Sequence, residues 1–472
     1  MIGKESVGEG KIDYVLMSFY LSLVAIGWMM IYAVGYKQGY SEMEYSAFMF
    51  KTSVGKQTVF IGVAIFLSLI IFSIDAKFWR VFAYPLYAIG IVLLMLVLVF
   101  GREINGAKAW FSIAGFGFQP AEIAKLGTAL ALSSYLSSPS INLKDSRTQM
   151  TVFGILAIPI FFIMLQPDAG SMLIFISFSI MLYREGLSPL PYIVGISLIA
   201  IFILALVIES NQLMMYLMMF VSILFAFNIS ENKRLWYAGV ISLILLSVIS
   251  FFTGKPQSAI TIMLLTVLTF VIVHSRRGRF KMVIITTGAL LFSVILVYTT
   301  NFVFNNVLKK HQQERINVWL RPDKCDPRGA AYNLINAKMA IGSGSLEGKG
   351  FLQGTMTQLN FVPEQNTDFI FCTVGEEQGF IGVFAVIVIF ILFLVRIVQI
   401  AERQRSNFVR LYAYCLAGIF FFHFFINIGM TMGIMPVIGI PLPFVSAGGS
   451  SLLGFTAMLA ILLKLDSSRY IV

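Results

Sequence analysis

The sequence predicts an all-α polytopic integral membrane protein, and three observations support this fold class. Of the 472 residues, 58% are hydrophobic and only 12% are charged, whereas a soluble domain carries about 25% charged residues. Apolar runs of about 18–25 residues, the length of a membrane-spanning helix, recur from one end of the chain to the other. These runs lack the short alternating segments of an outer-membrane barrel. Together the observations exclude a soluble globular protein.

Fourteen apolar runs are candidate spans. The first begins at Tyr14, is too long for the apolar region of a signal peptide and has no small-residue cleavage site after it, so we expect it to be retained. The runs cover residues 14–35, 57–74, 81–100, 119–137, 150–165, 170–183, 191–208, 211–229, 235–252, 257–274, 282–302, 379–396, 409–430 and 448–464.

The basic residues predict the orientation of these spans. If the N-terminus is cytoplasmic, 19 of the 34 Lys and Arg residues fall in cytoplasmic segments and six fall in short outer loops. Lys and Arg concentrate in cytoplasmic loops, and long loops are exempt from this bias, so the distribution fixes the orientation. We therefore interpret the net charge of +11 as a topology signal and expect no nucleic acid as a partner.

This orientation places a long loop, residues 303–378, outside the cytoplasm. Within it, "RPDKCDPRGAAY" at 321–332 is far more polar than the rest of the chain. A loop of this length usually has a function, and an ordinary solvated loop is the alternative. The segment "GAAYNLINAKMAI" has the pattern of a helix lying in the membrane surface. The cysteines show neither metal-ligand spacing nor a disulfide framework.

Two ionisable residues lie inside the fourth candidate span. Pro120 suits the first position of this helix, because its missing N–H would be unpaired there anyway. Glu122 and Lys125 are three residues apart and therefore share one helix face, just below the outer surface. Charges inside a membrane are costly and usually face a polar cavity. The two residues are candidates for a binding site, and a structural ion pair is the alternative.

Three more acidic residues are expected at the outer face. Asp168, in "LQPDAGSML", lies in a tight turn between two spans, where capping of the following helix is the alternative role. Glu364 and Asp368, in "FVPEQNTDFIF", lie four residues apart at the entry to the next span, where one of them could equally act as a cap.

Basic residues are predicted on the same face. Arg102 and Lys108 lie in the outer loop "GREINGAKAWF", and Lys56 opens the second span from outside. A purely structural helical bundle does not require acidic and basic groups to converge on one face. A site for an amphipathic, anionic substrate does require them.

Four motifs resemble the signatures of the SEDS family, the RodA/FtsW/SpoVE group. "NIGMTMGIMPVIGIPLPFVSAGGSSLL" at 427–453 is long and highly specific. "GREINGAKAWFSIAGFGFQPAEIAK", "QPDAGSML" and "DPRGAAYNLINAKMAIGSGSLEGKGFLQGTMTQLNFVPEQNTDFIF" match in the same order along nearly the whole chain. The wording "GTMTQLNFVPE" is closer to the RodA branch than to the FtsW branch.

The resemblance implies a peptidoglycan glycosyltransferase in the bacterial cytoplasmic membrane. Such an enzyme polymerises lipid II into glycan strands on the extracytoplasmic face, and in the RodA branch it supports cell elongation. A class B penicillin-binding protein and other membrane proteins of the elongation machinery are the implied partners. The family's essential aspartate falls on Asp326, in "CDPRGAAY", and the carboxylate and lysine of "QPSEIAK" fall on Glu122 and Lys125.

Three residues depart from the family pattern. Ala109 stands where the family usually has an arginine before the tryptophan, although Lys108 is adjacent. Asn366 replaces the usual histidine, and Lys56 replaces the usual arginine before Gln57. Arg and Lys are not equivalent toward phosphate, so these changes affect the expected anion-binding geometry.

The span count also departs from the family. The family core has ten spans, and the four runs between 191 and 274 resemble an insertion whose even number preserves sidedness. The expected organisation is therefore N-terminal core spans at 1–190, inserted spans at 191–274, a core span at 275–302, the catalytic loop at 303–378 and C-terminal core spans at 379–472.

The implied reaction needs few groups. A sugar hydroxyl attacks an anomeric carbon and displaces a lipid pyrophosphate, so the site needs a base and cations but no second carboxylic acid. Asp326 is the candidate base, with a turn-forming aspartate as the alternative, and Lys125, Lys56, Lys108 or Arg102 could stabilise the leaving group. A divalent cation, Mg²⁺ or Mn²⁺, is left open because the sequence shows no metal site. The rival functions are a lipid II flippase and a non-catalytic scaffold.

Overall fold

The structure, a computed structural model, describes residues 12–36, 45–104, 106–113, 116–227, 233–254, 256–276, 278–308, 310–322, 325–326, 329 and 331–469. These ranges contain twenty helices and three short strands. In chain order they are α1 Tyr14–Gly35, α2 Tyr45–Lys51, α3 Ser53–Ser73, α4 Ala76–Val81, α5 Ala83–Phe100, β1 Arg102–Ile104, β2 Ala107–Ile113, β3 Phe116–Phe118, α6 Pro120–Leu136, α7 Ser146–Leu165, α8 Ala169–Phe175, α9 Phe178–Arg184, α10 Leu190–Val207, α11 Ser210–Phe227, α12 Lys233–Phe252, α13 Pro256–Arg276, α14 Phe280–Asn306, α15 Lys310–Leu320, α16 Tyr332–Ser343, α17 Thr355–Gln358, α18 Ile370–Glu402, α19 Asn407–Thr431 and α20 Gly449–Ser467.

The helices confirm the predicted membrane architecture. Ten of the described helices are long and apolar enough to cross a membrane, and each lies on a predicted span: α1, α3, α5, α7, α10, α13, α14, α18, α19 and α20. The other four predicted spans coincide with α6, with the pair α8 and α9, with α11 and with α12. The apolar parts of α8–α9, α11 and α12 are only 16 or 17 residues long, and α6 has 17 residues and carries Glu122 and Lys125.

The described chain forms two compact units. The first contains residues up to Ser188 and those from Asp326 onward, and the second contains Pro189–Cys325. In the first unit α19 and α20 are the most buried of the long helices. Phe393, Phe420, Phe444 and Phe455 form its aromatic centre, with ring centroids 5.3–5.9 Å apart. These rings join α18, α19 and α20 to the loop that precedes α20.

The second unit contains α10 to α15 and therefore all four spans of the predicted insertion. Its core is built from apolar side chains of α11, α12, α13 and α14, among them Phe225 and Met263, which are fully buried. Phe225 and Phe270 stack at 6.0 Å between ring centroids. An apolar core of this kind indicates that these helices pack on one another.

Two local features were not predicted. The loop after α5 forms a small antiparallel sheet of β1, β2 and β3. The sequence does not predict it, because β1 and β3 have three residues each and the seven residues of β2, "AKAWFSI", do not alternate strictly between apolar and polar. Helix α18 begins nine residues before the predicted span and bends at Gly379, whose φ is +62°. A Cβ at Gly379 would lie 2.3 Å from Gly348 N, so only glycine allows this approach.

A charged network joins the start of α1 to α18 and α20. Asp13 accepts hydrogen bonds from Leu16 N, from Arg396 Nη2 at 2.8 Å and from Arg403 Nη2 at 2.8 Å. Arg403 Nε also donates to Asp466 Oδ1 at 3.0 Å. Burial raises the pKa of Asp13, but the bonds from Arg396, Leu16 and Arg403 outweigh it and lower the pKa below 3.8.

We expect Asp13→Asn to destabilise the protein at neutral pH by about 1.5–3 kcal/mol, the usual contribution of hydrogen bonds to charged groups. Because the folded-state pKa is lowered, this stabilisation is present above pH 3.8 and is lost as the pH falls through the lower, folded-state value. Thermal unfolding in detergent between pH 7 and acid conditions measures it. The control is Asp145→Asn, since Asp145 is exposed and makes no capping hydrogen bond. Equal unfolding temperatures for both variants would contradict the expectation.

Candidate active site

Residues 436–448, here called the central loop, form most of the connection between α19 and α20 and contact several predicted site segments. Asn427 Nδ2 donates to Ile440 O at 2.7 Å and to Asp368 O at 2.9 Å. Three more hydrogen bonds hold the loop to distant segments, from Ala447 N to Asn366 O (2.8 Å), from Gly448 N to Gln57 Oε1 (3.3 Å) and from Ser446 Oγ to Thr367 O (2.6 Å). The family-like motif at 427–453 thus holds the polar segments around Gln57 and Asp368 in place.

Glu122 and Lys125 form the ion pair that their spacing in α6 predicts. Lys125 Nζ lies 2.9 Å from Glu122 Oε1, and the two residues are 1% and 4% exposed. Lys125 Nζ also lies 3.0 Å from His423 Nε2 and 5.2 Å from the centre of the Phe455 ring. His423 Nδ1 faces Pro441 O of the central loop at 3.2 Å. In this structure Lys125 is therefore a buried structural cation.

Asp168 caps a helix, as the structural alternative proposed. Its Oδ1 accepts from Ser171 N at 3.0 Å at the start of α8. Its Oδ2 accepts from Gln119 Nε2 at 2.9 Å and from Ser171 Oγ at 2.7 Å. Since Gln119 directly precedes α6 and its N–H donates to Ser450 Oγ at 3.0 Å, the cap also connects α6, α8 and α20.

Asp368 and Glu364 lie in different environments. Asp368 is half-buried beside the central loop, where a Cβ on Gly439 would lie 3.1 Å from Asp368 Oδ2. Glu364 is exposed, and its Oε2 accepts from Thr367 Oγ1 at 3.1 Å. Neither side chain caps α18, whose N-cap residue is Phe369 without a side-chain bond. The capping alternative is therefore not realised for these two residues.

The predicted basic residues are spread along the first unit. Lys56 is half-buried in the first turn of α3, next to Gln57, which binds the central loop. Arg102 is exposed on β1, and Lys108 on β2 donates from Nζ to Val99 O at 3.0 Å. Ala109, where the family usually has arginine, is buried. Lys56 is thus the sequence neighbour of a residue that contacts the central loop, whereas Arg102 lies at the surface.

Asp326 is exposed and precedes α16, the helix predicted in this loop. Its carbonyl accepts from Gly329 N at 3.1 Å, so the backbone turns here as the structural alternative proposed. A Cβ on Gly329 would lie 3.4 Å from Asp326 Oδ2, so this glycine lies directly beside the carboxylate. The neighbouring residues Asp323, Lys324, Pro327, Arg328 and Ala330 lie outside the described residues.

A model of the FtsW/RodA/SpoVE family, described as cell cycle protein, matches residues 14–222 and 209–471. The chain belongs to the FtsW/RodA/SpoVE family. This confirms the resemblance that the sequence motifs indicate.

Two curated relatives of this family member are named as enzymes. The peptidoglycan glycosyltransferase RodA of Treponema pallidum (strain Nichols) is 31% identical over 461 residues, which are 96% of this chain and 96% of the relative. The peptidoglycan glycosyltransferase MrdB of Escherichia coli (strain K12) is 28% identical over 412 residues, 87% of this chain and 84% of the relative.

Two solved structures share the fold of this family member. A chain of a peptidoglycan synthase complex, described as coordinating polymerization and crosslinking, superposes with a TM-score of 0.62 at 24% identity over 98% of this chain and 99% of the other. The rod shape determining protein RodA of Thermus thermophilus superposes with a TM-score of 0.56 at 22% identity over 97% and 98% of the two chains. The predicted helical membrane fold is thereby confirmed.

Sequence reasoning missed several buried polar residues of this family protein. His423 is a lone histidine in an apolar stretch, which gives no signal of its contact with Lys125. Glu376 is fully buried and accepts hydrogen bonds from Lys349 Nζ (2.7 Å) and Thr357 N (2.8 Å). It thus holds the glycine-rich part of the long loop against α18. The pair "EE" inside an apolar run is the signal that could have identified it.

Lys338 is a further basic residue that the sequence reasoning missed. It is exposed on α16 and lies over Gly433, where a Cβ would come 2.6 Å from Lys338 Nζ. Gly433 has a φ of +77° and follows α19, three residues before the central loop. The glycine therefore makes room for an exposed ammonium group near this loop.

The residues that the structure describes contain no group of three or more His, Cys, Asp and Glu side chains arranged to hold a metal ion. Around Asp326 itself, part of the segment lies outside the described residues. The described residues therefore offer no set of ligands for the divalent cation that the sequence analysis left open.

Proposed function

We propose that this protein polymerises lipid II into glycan strands, with Asp326 as the catalytic base. Family membership and the names of its relatives identify the chain as a peptidoglycan glycosyltransferase. The observation that carries the proposal is the extent of the family match, which includes every candidate residue from Lys56 to Asp368 together with the central loop. The resemblance to the RodA branch favours a role in cell elongation.

The proposed chemistry assigns one role to each kind of group. Asp326 is an exposed carboxylate and can accept the proton of the attacking sugar hydroxyl as a new glycosidic bond forms. The lipid pyrophosphate leaves as an anion, so no acid has to protonate it. Fixed cations stabilise the charge that develops on it.

Candidates for these cations differ in accessibility. Lys125 is buried and paired with Glu122, so it supports the site through structure. Lys56, Arg102 and Lys108 remain candidates for direct contact, and Lys338 joins them because it is exposed. Asp168, Glu364 and Asp368 are proposed to contact the polar part of the substrate or to orient its binding groups.

We place the site on the extracytoplasmic face of the cytoplasmic membrane, where lipid-linked sugars are polymerised. The basic-residue distribution supports this side. We propose a class B penicillin-binding protein as the partner, together with other elongation proteins. The structural similarity to a chain of a complex that both polymerises and crosslinks supports such a partner.

Glycan polymer formed from lipid II by the purified protein, with and without its penicillin-binding partner, tests the proposal. Polymer of many disaccharide units is the expected product. A lipid II flippase would instead move lipid II between the leaflets of a vesicle without making polymer. A scaffold would do neither.

The inserted spans give a separate prediction about sidedness. If residues 191–274 form an even number of spans, both of their ends lie in the cytoplasm. Reporter domains fused after Glu185 and after Arg277 should both report a cytoplasmic location. Opposite locations for the two reporters would show that the number of spans between them is odd.

A further inference from the structure

The second unit contains a polar pocket of about 460 Å³. It lies between the loop that joins α10 to α11, the last turns of α14 and the helix α15. Seven of its thirteen lining residues are polar, including four asparagines, Asn211, Asn301, Asn305 and Asn317. A pocket of this volume is within the range of small-molecule sites, but most such sites are lined mainly by apolar groups. The excess of amides indicates a polar ligand.

The pocket also bears on sidedness. The predicted orientation places both the α10–α11 loop and the end of α14 on the extracytoplasmic side, because the four predicted spans between them are an even number. The structure brings Ser210 and Asn301 together, with 3.1 Å between Asn301 Nδ2 and Ser210 Oγ. Because this contact joins the end of α14 to the start of α11, these two helix ends lie on the same side of the membrane. The pocket is therefore on the side where we place the polymerisation reaction.

Some polar groups of the pocket already have structural roles. Arg321 Nη2 donates to Leu206 O at 2.5 Å and Val207 O at 3.2 Å, at the end of α10. These bonds satisfy helix carbonyls that would otherwise be unpaired. Asn301 Nδ2 donates to Val297 O at 3.1 Å as well as to Ser210. Arg321 and Asn301 therefore shape the pocket.

Other polar groups are available to a ligand. Asn211, Asn317 and Glu209 make no side-chain hydrogen bond or ion pair with another described residue, and all three line the pocket. An amide group both donates and accepts hydrogen bonds, as the hydroxyl and acetamido groups of sugars and the amides of peptides require. One carboxylate and one guanidinium leave the lining without a large net charge. This chemistry suits an uncharged or zwitterionic chain better than a pyrophosphate.

We propose that this pocket binds the disaccharide-peptide headgroup of the lipid-linked substrate. The inference rests on the proposed polymerase function and adds a binding site to it. Arg321, which lines the pocket, precedes Asp326 by five residues in the sequence. The same charged stretch thus supplies one pocket residue and the candidate base. The spans between 191 and 274 then contribute to substrate recognition.

Two neighbouring asparagines of α14 provide a matched test. Asn305 lines the pocket and Asn306 does not, both are exposed, and each donates from Nδ2 to the carbonyl four residues earlier, at 2.9 and 3.0 Å. The probe is the water-soluble disaccharide peptide released from lipid II, and calorimetry with the full-length protein in detergent measures its binding. Asn305→Leu should weaken binding about three- to tenfold, as expected for the loss of one hydrogen bond. Asn306→Leu should leave it unchanged.

A second variant, Asn317→Trp, fills the pocket and should abolish binding, while its unfolding temperature reports on folding. If the wild-type protein does not bind the probe, or if Asn305→Leu and Asn306→Leu bind it equally, the inference is wrong. Binding with the expected pattern by a protein that forms no polymer would refute the polymerase proposal and support the pocket as a headgroup site.

Discussion

Replacing Asp326 by asparagine should lower polymerisation of lipid II by at least about 10²-fold, the usual effect of losing a general base. Asparagine keeps the shape of the side chain and most of its hydrogen bonds, but it cannot accept the proton of the sugar hydroxyl. Asparagine is also common in turns, and Asp326 is exposed, so the variant should fold and bind its partner. Glycan polymer formed by the purified protein with its penicillin-binding partner measures the effect.

Asp323→Asn is the control, because Asp323 belongs to the same acidic stretch, three residues away. It should retain nearly wild-type polymerisation. If Asp326→Asn polymerises at the wild-type rate, Asp326 is not the base, and Glu364 and Asp368 become the next candidates. Equal losses in both variants would instead indicate that the net charge of the stretch matters more than one proton acceptor.

Lys125→Ala should reduce the yield of folded protein as well as its activity. The substitution leaves the Glu122 carboxylate without its partner, in a place where only 4% of that residue is exposed. Removing one member of a buried ion pair typically costs about 3–5 kcal/mol. It also removes the hydrogen-bonding contact of Nζ with His423. Size-exclusion chromatography and thermal unfolding in detergent measure the folded fraction, and the polymerisation assay measures activity.

Two variants separate the structural effect from a catalytic one. The double variant Glu122→Leu with Lys125→Met replaces the pair by apolar groups, which is often neutral for stability, so its folded yield should recover. Arg410→Met breaks the half-exposed pair between Arg410 and Glu185, with 3.0 Å between Arg410 Nη2 and Glu185 Oε2, and should cost much less. For Lys125→Ala itself, a normal yield of folded protein together with lost activity would show that Lys125 has a direct catalytic role. Full activity would remove Lys125 from the site.

Much of the architecture follows from the sequence alone. Each of the fourteen apolar runs corresponds to helical structure, because about 20 apolar residues in lipid can satisfy their backbone groups only as a helix. The i, i+3 spacing of Glu122 and Lys125 predicts their ion pair for the same local reason. The family is also determined by the sequence, through motifs whose order and wording are specific.

The tertiary structure decided what the local pattern leaves open. The contact of His423 with Lys125 joins residues 298 positions apart, and the three strands after α5 are stabilised by pairing that leaves no periodic signal. The asparagines of the α14 end and the α10–α11 loop form a pocket only because the helices of the second unit pack together. Sequence spacing determines which groups share a helix face, whereas contacts between helices depend on packing that no single segment encodes.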